Sequence, residues 1–161
     1  MKNIAIIGLG YVGLPLAIEF SKIYNVTGLD IDQNRIKQLK LKFDSNKQIS
    51  KKSFSNKNKL NLTTNYKDIK DCNIIIITVG TPIFKNNKPD LRKINSACIK
   101  ISKFLKVGDI IIFESTFYPG LTEEYCAPII EKYSKLKFNK DFFCGYSPER
   151  INPGDKIHTL P

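Results

Sequence analysis

The sequence lacks any pairing of cysteines that could hold a metal ion. Cys72, Cys98, Cys126 and Cys144 are far apart, with no Cys-x-x-Cys motif and no histidine paired with them. Zinc sites need such close spacing, so we expect no metal site. We interpret the four cysteines as reduced thiols of a cytoplasmic chain.

Arginine is scarce and scattered, at Arg35, Arg92 and Arg150. The net charge of +11 comes mostly from lysines spread along the chain. A nucleic-acid-binding surface typically clusters arginine on one face, so biased composition is the favoured explanation of this charge. We expect no nucleic-acid partner.

The most basic segment, residues 42–59, has six lysines, one acid (Asp44) and few apolar residues. Only Phe43 and Phe54 could stack on bases, which is too few for a typical single-strand-binding surface. The composition predicts a solvated loop or a frayed helix. Its role is open at this stage.

A signal peptide is also missing, although the uncharged residues 3–18, which follow Lys2, superficially resemble one. Gly8, Gly10, Gly13 and Pro15 interrupt the apolar run, and no small-residue cleavage site follows. We therefore expect no membrane association. With 161 residues, 42% of them apolar and 25% charged, and with no internal repeat or linker, we expect one globular domain over residues 1–146.

Short apolar segments rich in isoleucine alternate with segments of helical periodicity. The predicted strands are Asn3–Ile7, Asn25–Ile31, Leu60–Thr63, Asn73–Val79, Ile110–Phe113 and Asp141–Tyr146. Helices are predicted from Val12, after caps at Asp32 and Asp90, and from Thr122, where Pro128 indicates a kink or a late start. This alternation is typical of an α/β fold, Rossmann-like and doubly wound, with a mostly parallel sheet, helices on both faces and three α/β/α layers.

A glycine motif follows the first predicted strand and opens the first helix. It reads Gly8-Leu9-Gly10-Tyr11-Val12-Gly13, which matches G-x-G-x-x-G in the context that the dinucleotide fingerprint requires. In that fingerprint the glycines allow a tight turn, a close approach of backbone to a pyrophosphate, and close packing of helix on strand. The alternative is a turn selected for packing alone.

Asp30 ends the second predicted strand, 17 residues after Gly13. A carboxylate there can accept hydrogen bonds from the adenosine ribose and would repel a 2′-phosphate, which predicts NAD rather than NADP. Arg35 is a basic group that could soften this discrimination. Alone, Asp30 could be only a turn residue or a helix cap.

Two hydroxyl-rich segments end the following strands, at Thr78–Pro82 and Glu114–Gly120. In a doubly wound sheet these ends lie where a nicotinamide would bind. Thr81 and Thr116 are therefore candidates, and ordinary turn chemistry explains them equally well.

Four segments in order, GLGYVGLPLA (8–17), VGTP (79–82), ESTFYPGLTEE (114–124) and YSPERINPGDK (146–156), closely resemble the NAD-binding domain of the UDP-glucose/GDP-mannose dehydrogenase family. The last segment is most similar to the branch that oxidises UDP-N-acetylhexosamines to uronic acids. The resemblance covers nearly the whole chain except residues 44–59.

The resemblance implies oxidation of C6 of a UDP-sugar with two NAD⁺ and water through a cysteine thioester, for surface polysaccharide precursors. It assigns Gly8, Gly10, Tyr11, Val12, Gly13, Asp30 and Arg35 to the adenosine and pyrophosphate, and Thr81 and Thr116 to the nicotinamide side. Thr116 and Glu149 are its candidate catalytic residues. It also implies a homodimer of the longer protein.

The chain departs from the family pattern in two ways. A second glutamate of the UDP-glucose branch corresponds here to Pro153, and Glu149 itself could be a solvated loop acid. The family's cysteine nucleophile has no match up to residue 161, and Cys144 is interpreted as strand core. We therefore expect residues 147–161 to begin the connection to a substrate domain, and the 161 residues alone to be inactive.

Other functions remain open from the sequence. The chain could come from a UDP-glucose or GDP-mannose branch, or from a more distant β-hydroxyacid dehydrogenase with a similar half. It could also be a stand-alone NAD-binding module without chemistry of its own. The nucleotide sugar and its epimer are not determined by these residues.

Overall fold

Six strands form one sheet in the computed structural model, which describes residues 2–55 and 57–148. They are β1 (Asn3–Ile7), β2 (Asn25–Leu29), β3 (Leu60–Thr63), β4 (Ile74–Ile77), β5 (Asp109–Glu114) and β6 (Phe142–Ser147). Each predicted strand is present; the bounds of β1 and β3 match, and the ends of the other strands differ by at most two residues. The sequence periodicity therefore located every strand of the described sheet.

The helices are α1 (Gly13–Ser21), α2 (Gln33–Lys40), α3 (Arg92–Ser102) and α4 (Ala127–Ser134). Asp32 caps α2 as predicted, since its carboxylate accepts the Asn34 N–H at 2.8 Å. The N-cap of α3 is Leu91 rather than the predicted Asp90, although the Asp90 carboxylate accepts the Arg92 N–H at 3.1 Å. Short 3₁₀ helices cover Lys51–Ser53 and Tyr66–Ile69.

The strand order is β3-β2-β1-β4-β5-β6, and all five pairings are parallel. This is the order of a Rossmann fold, so the predicted α/β class is confirmed. Since β1 lies between β2 and β4, the chain leaves β1 toward one edge of the sheet and returns to the other side of it at β4. The carboxyl ends of β1 and β4 therefore flank a crevice.

Each face of the sheet carries its own hydrophobic core. Alternate residues of β1 serve the two: Ile4 and Ile6 pack with α1 and α2, whereas Ala5 and Ile7 pack with α3 and α4. Burial on both faces explains why β1 reads as a continuous apolar run without alternation. The three-layer arrangement predicted from the sequence follows from these two cores.

The helix after β5 resolves the alternatives that Pro128 left open. Leu121–Cys126 forms a π-helical segment, and the α-helical part begins only at Ala127, with Pro128 in its first turn. Proline lacks an N–H, which is tolerated in a first turn because those donors have no partner within the helix. The late start is thus the correct alternative.

The Lys-rich segment 42–59 is a loop with one 3₁₀ turn, yet the prediction that it is solvated is wrong at two residues. Asp44 and Phe54 are both 7% exposed. Phe54 packs into the core beside α1 and α2, and Asp44 pairs with Arg35. The loop is therefore anchored to the domain by the apolar contacts of Phe54 and Ile49 and by the ion pair of Asp44 with Arg35.

No helix within residues 2–55 and 57–148 is long and apolar enough to span a bilayer.

Candidate functional site

A cavity of about 530 Å³ occupies the crevice at the carboxyl ends of β1 and β4. Open α/β sheets bind their ligands at this position, where the strand order reverses. Its walls come from the glycine turn, the ends of β2 and β4, and the first turns of α3. The lining includes Gly8, Gly10, Asp30, Tyr66, Thr78, Val79, Asp90, Arg92 and Ser96.

The glycine turn has the conformation and the close packing that the motif predicts. Gly8 has φ +98°, in the left-handed region that favours glycine. A Cβ on Gly13 would lie 1.9 Å from the Gly8 carbonyl oxygen and 2.4 Å from Thr78 Oγ1. The structure itself therefore requires glycine at both positions.

Gly10 differs from the other two glycines of the motif. Its φ is not in the left-handed region, and a Cβ built on it would meet no atom within 4 Å. Neither backbone conformation nor packing within the described residues accounts for glycine here. The open space beside Gly10 is what a ligand that approaches the backbone closely needs, which packing alone does not explain.

The two residues between Gly10 and Gly13 lie in the turn directly before α1. Val12 is the N-cap of α1 and packs against the core on that side, while Tyr11 is 48% exposed. The first N–H groups of an α-helix generally lack partners within the helix, and here the Leu14 N–H donates to the Gly10 carbonyl at 3.3 Å. This end of the helix favours negative charge.

Asp30 lies beside the glycine turn, as predicted. Its Oδ2 accepts the Leu9 N–H at 2.8 Å, and its Oδ1 accepts the Asp32 N–H at 2.9 Å. Each carboxylate oxygen has a second lone pair, so both can still accept from a ligand hydroxyl. Asp30 therefore orients the turn and leaves acceptor capacity toward the crevice.

Arg35 is buried under the same turn. Its Nε donates to the Leu9 carbonyl at 2.9 Å, and its Nη1 lies 2.7 Å from Asp44 Oδ1. Together, Asp30 and Arg35 hold the N–H and the carbonyl of the same residue, Leu9. A direct contact between Arg35 and a cofactor remains a prediction.

Thr78, the residue after β4, was not singled out from the sequence. Its Oγ1 lies 2.6 Å from the Gly8 carbonyl oxygen and 3.1 Å from that of Ile7. It thus ties the glycine turn to the neighbouring strand. The sequence feature that could have identified Thr78 as a site residue is its place at the end of a central strand, directly before Val79-Gly80.

The loops after β4 and β5 are joined at the predicted nicotinamide side. Thr81 Oγ1 donates to the Thr116 carbonyl at 2.9 Å, and Ser115 Oγ donates to the Val79 carbonyl at 2.8 Å. The structure therefore brings the two predicted threonines together. The backbone carbonyl of Thr116, and not its side chain, accepts the hydrogen bond from Thr81. The side chain of Thr116 is exposed.

Two further groups of the crevice were missed by sequence reasoning. Burial, with the charge of Asp30, raises the pKa of Tyr66 to about 12, so the phenol stays protonated. Arg92 donates to both carboxylate oxygens of Asp90, at 2.9 and 2.6 Å, which lowers the pKa of Asp90 to about 2. Neither residue belongs to a recognisable sequence motif.

The cysteines of the described chain belong to the core. Cys98 and Cys126 are fully buried, and a hydrogen bond with Cys126 together with burial raises the pKa of the Cys98 thiol. Burial raises the pKa of Cys144 on β6 to about 12. A thiol with a raised pKa is a poor nucleophile, which agrees with the interpretation of these residues as core.

Within residues 2–55 and 57–148, no group of three or more His, Cys, Asp or Glu side chains could hold a metal ion. The predicted catalytic residue Glu149 lies outside the described residues.

Comparison with known proteins agrees with this geometry. Residues 2–160 match the model of the UDP-glucose/GDP-mannose dehydrogenase family, NAD binding domain. UDP-N-acetyl-D-glucosamine 6-dehydrogenases from Pseudomonas aeruginosa and Salmonella typhi are 52% and 50% identical over 98% of this chain. A ternary complex of GDP-mannose dehydrogenase from Pseudomonas aeruginosa superposes with a TM-score of 0.85 at 28% identity, over 95% of this chain and 37% of that one. The chain spans 37% of the length of the two sequence relatives.

Proposed function

Because the chain belongs to the UDP-glucose/GDP-mannose dehydrogenase family, as its NAD-binding domain, we propose that it is the cofactor-binding part of a UDP-N-acetylhexosamine 6-dehydrogenase. The substrate class rests on the two relatives that are half identical over nearly the whole chain. Such an enzyme converts C6 of the sugar from alcohol to carboxylate. We propose that residues 1–146 form the domain that binds the cofactor, and that residues 147–161 connect it to the remainder of the enzyme.

The main support for cofactor binding is the open space beside Gly10, where an added Cβ would meet no atom within 4 Å. Glycine there is unexplained by the packing of the described residues, whereas Gly8 and Gly13 are explained by it. A pyrophosphate beside Gly10 would lie at the N-terminus of α1, where the helix dipole favours its charge. The acceptor oxygens of Asp30 would receive the adenosine ribose hydroxyls.

The nicotinamide end of the cofactor is proposed to lie against the loops after β4 and β5. NAD⁺, when bound, accepts the hydride that leaves C6 of the sugar. Thr81 fixes the position of the loop that carries Thr116, so that the free hydroxyl of Thr116 can contact the cofactor or substrate. The backbone N–H groups of Tyr11 and Val12, in the turn directly before α1, are proposed to donate to the phosphates. Glu149 is proposed to act at the substrate.

The thioester chemistry of such an enzyme needs an activated cysteine that none of these residues supplies. Cys98, Cys126 and Cys144 are core residues of the described fold. We expect the nucleophile in a glycine-rich motif beyond Pro161, in a protein that works as a cytoplasmic homodimer. Reading the coding frame past Pro161 tests this directly, since a stop codon there would contradict it.

Calorimetric titration of the 161-residue chain with NAD⁺ tests the site. We expect Gly10→Ala to weaken NAD⁺ binding at least about tenfold with little change in thermal stability, because the added methyl occupies the open side of the turn. Gly145→Ala on β6 is the matched control, since its Cβ would meet only Ile112 at 3.8 Å. Equal affinities for the native chain and Gly10→Ala would overturn the assignment.

A further inference from the structure

The turn that ends α2 projects two apolar side chains into solvent. Leu41 is 76% exposed and Phe43 is 58% exposed. The Lys42 N–H donates to the Leu39 carbonyl at 2.9 Å, and the Phe43 N–H donates to the Gln38 carbonyl at 3.0 Å. These two hydrogen bonds form a Schellman motif, in which the last residue often packs on the helix, but polar Gln38 offers Phe43 no apolar surface. The turn therefore holds both side chains outward in a defined geometry.

Lysines surround these two side chains. Leu41 and Phe43 border a groove that Lys47 and Lys51 also line, and Lys52 follows in the 3₁₀ turn. Within residues 2–55 and 57–148, none of these three lysines forms an ion pair. We call the surface formed by Leu41, Phe43, Lys47, Lys51 and Lys52 the basic apolar patch.

Asp44, the one acid of segment 42–59, does not offset this charge at the surface. Its side chain is 0% exposed, and its Oδ1 lies 2.7 Å from Nη1 of Arg35. Its Oδ2 accepts the Gln48 and Ile49 N–H groups at 2.7 and 3.0 Å, inside the loop. Because this negative charge is buried and paired, the outward side of the loop carries positive charge that no acid of the segment compensates.

A surface that combines outward apolar side chains with lysines is complementary to an anionic lipid bilayer. The lysines gain from the negative surface potential, and the apolar side chains enter the boundary between headgroups and acyl chains. Nucleic acid fits less well, since the patch has no arginine and a single aromatic ring. Side chains as exposed as Leu41 protrude from the fold, which suits insertion into a fluid phase better than capture of an acidic polypeptide.

We propose that the basic apolar patch binds the surface of anionic membranes, with Leu41 and Phe43 inserted and the lysines among the headgroups. Biased composition explains the number of lysines, but not two apolar side chains held outward among them. The proposal goes beyond the proposed function and does not depend on cofactor binding. It replaces the expectation of no membrane association, which rested on the N-terminal segment alone.

Co-sedimentation of the 161-residue chain with lipid vesicles tests the proposal. Vesicles of phosphatidylglycerol and phosphatidylcholine in equal parts should sediment the native chain, and vesicles of phosphatidylcholine alone should not. The triple variant Lys47→Gln, Lys51→Gln and Lys52→Gln should have a partition coefficient lower by about a hundredfold, from roughly fivefold for each lysine. Native-like binding of this variant would overturn the proposal.

A matched control removes the same charge elsewhere. The triple variant Lys132→Gln, Lys137→Gln and Lys140→Gln changes exposed residues in and after α4, which packs on the other face of the sheet from α2. Its partition coefficient should differ from the native one by less than about threefold, since these charges are distant from the patch and screened. An equal loss in both triple variants would mean that the whole basic chain is attracted, and the assignment to the patch is wrong.

The apolar contribution is tested with every lysine in place. Leu41→Ser with Phe43→Ser should weaken binding by at least about tenfold, because two apolar side chains no longer leave water. Val107→Ser, at a 71% exposed valine before β5, is the control and should bind like the native chain. Circular dichroism checks that each variant is folded, as expected for substitutions of exposed side chains. Full binding of the double variant would mean that charge alone holds the chain, which contradicts insertion.

Two further results would overturn the proposal. A native chain that binds polyglutamate and does not sediment with the anionic vesicles would have an acidic polypeptide as its partner. Release of the chain from vesicles by soluble glycerol phosphate would indicate a site for a free phosphate rather than a bilayer contact. Failure of NAD⁺ titration would concern the proposed function alone, since sedimentation is measured without nucleotide.

Discussion

Thr78 Oγ1 lies 2.6 Å from the carbonyl oxygen of Gly8, and thereby joins the end of β4 to the turn after β1. The same hydroxyl is 2.4 Å from where a Cβ of Gly13 would be. Thr78, about 70 residues later in the chain, therefore shares one small volume with Gly8 and Gly13 at the start of α1. Substitutions of Gly13 and of Thr78 test the two sides of this contact separately.

Gly13→Ala should destabilise the domain by about 3 kcal/mol. The added methyl would lie 1.9 Å from the backbone oxygen of Gly8, so the turn or the helix must shift, which is the upper range of overpacking costs. Urea unfolding gives the free energy of unfolding. Gly10→Ala, where the methyl meets nothing within 4 Å, should change it by less than about 0.5 kcal/mol. Equal losses in the two variants would contradict this account of the motif.

Thr78→Val should lower the free energy of unfolding by about 1 kcal/mol, because it removes the hydroxyl and keeps the shape. The Thr78 N–H still donates to the Ile7 carbonyl, so β4 itself remains paired. Thr64→Val, at an exposed threonine after β3, is the control and should have no measurable effect. A Thr78→Val protein as stable as the native one would mean that the hydroxyl does not hold the turn.

Asp44→Asn should destabilise the domain by about 3 kcal/mol at pH 7, since it leaves Arg35 without its buried partner. Burial opposes the charge of Asp44, but hydrogen bonds from Arg35, Ile49 and Gln48 outweigh it and lower the pKa. A lowered pKa gives stability that is present above the unfolded-state pKa and is lost as pH falls through the folded-state pKa. The difference in unfolding free energy between native and variant should therefore shrink toward pH 3. A constant difference would contradict the ion pair.

Asp109 should have the opposite pH dependence. Burial raises the pKa of this carboxyl more than the hydrogen bond from the Lys106 N–H lowers it. A raised pKa gives stability that is present below the unfolded-state pKa and is lost as pH rises through the folded-state pKa. The unfolding free energy of Asp109→Asn relative to the native chain should thus increase from pH 3 to pH 7. If the unfolding free energy of Asp109→Asn relative to the native chain decreased over this pH range, the Asp109 charge would be stabilising.

The parts of the site that the sequence predicted are local. The glycine turn and Asp30 are separated by one strand-helix-strand unit of fixed geometry, so spacing alone relates them. Asp44 could not be found this way, because its burial depends on the path of a loop that returns to α2 and to Leu9. Asp44 is the one acid among six lysines, which could have indicated an ion pair, but the polar composition of the segment predicted a solvated loop.

Thr78 and the π-helical segment were missed for different reasons. The role of Thr78 depends on which strand lies beside β1, and that is a property of topology rather than of nearby sequence. Pro128 marked an irregularity correctly, yet a kink and a late start both fit a proline among apolar residues at helical spacing. Only the packing of Leu121 and Cys126 into the core selects between them.

The pairing of β1 with β4, from Ile4 with Ile74 to Ile7 with Ile77, also determines when the crevice can exist during synthesis. A nascent chain on the ribosome presents the glycine turn early, but the opposite wall follows only after the intervening residues 8–73 have emerged. Pairing across so long a segment carries a large loop-closure cost and is slow compared with helix formation. A nucleotide that needs both walls of the crevice would therefore bind only after β4 has paired with β1.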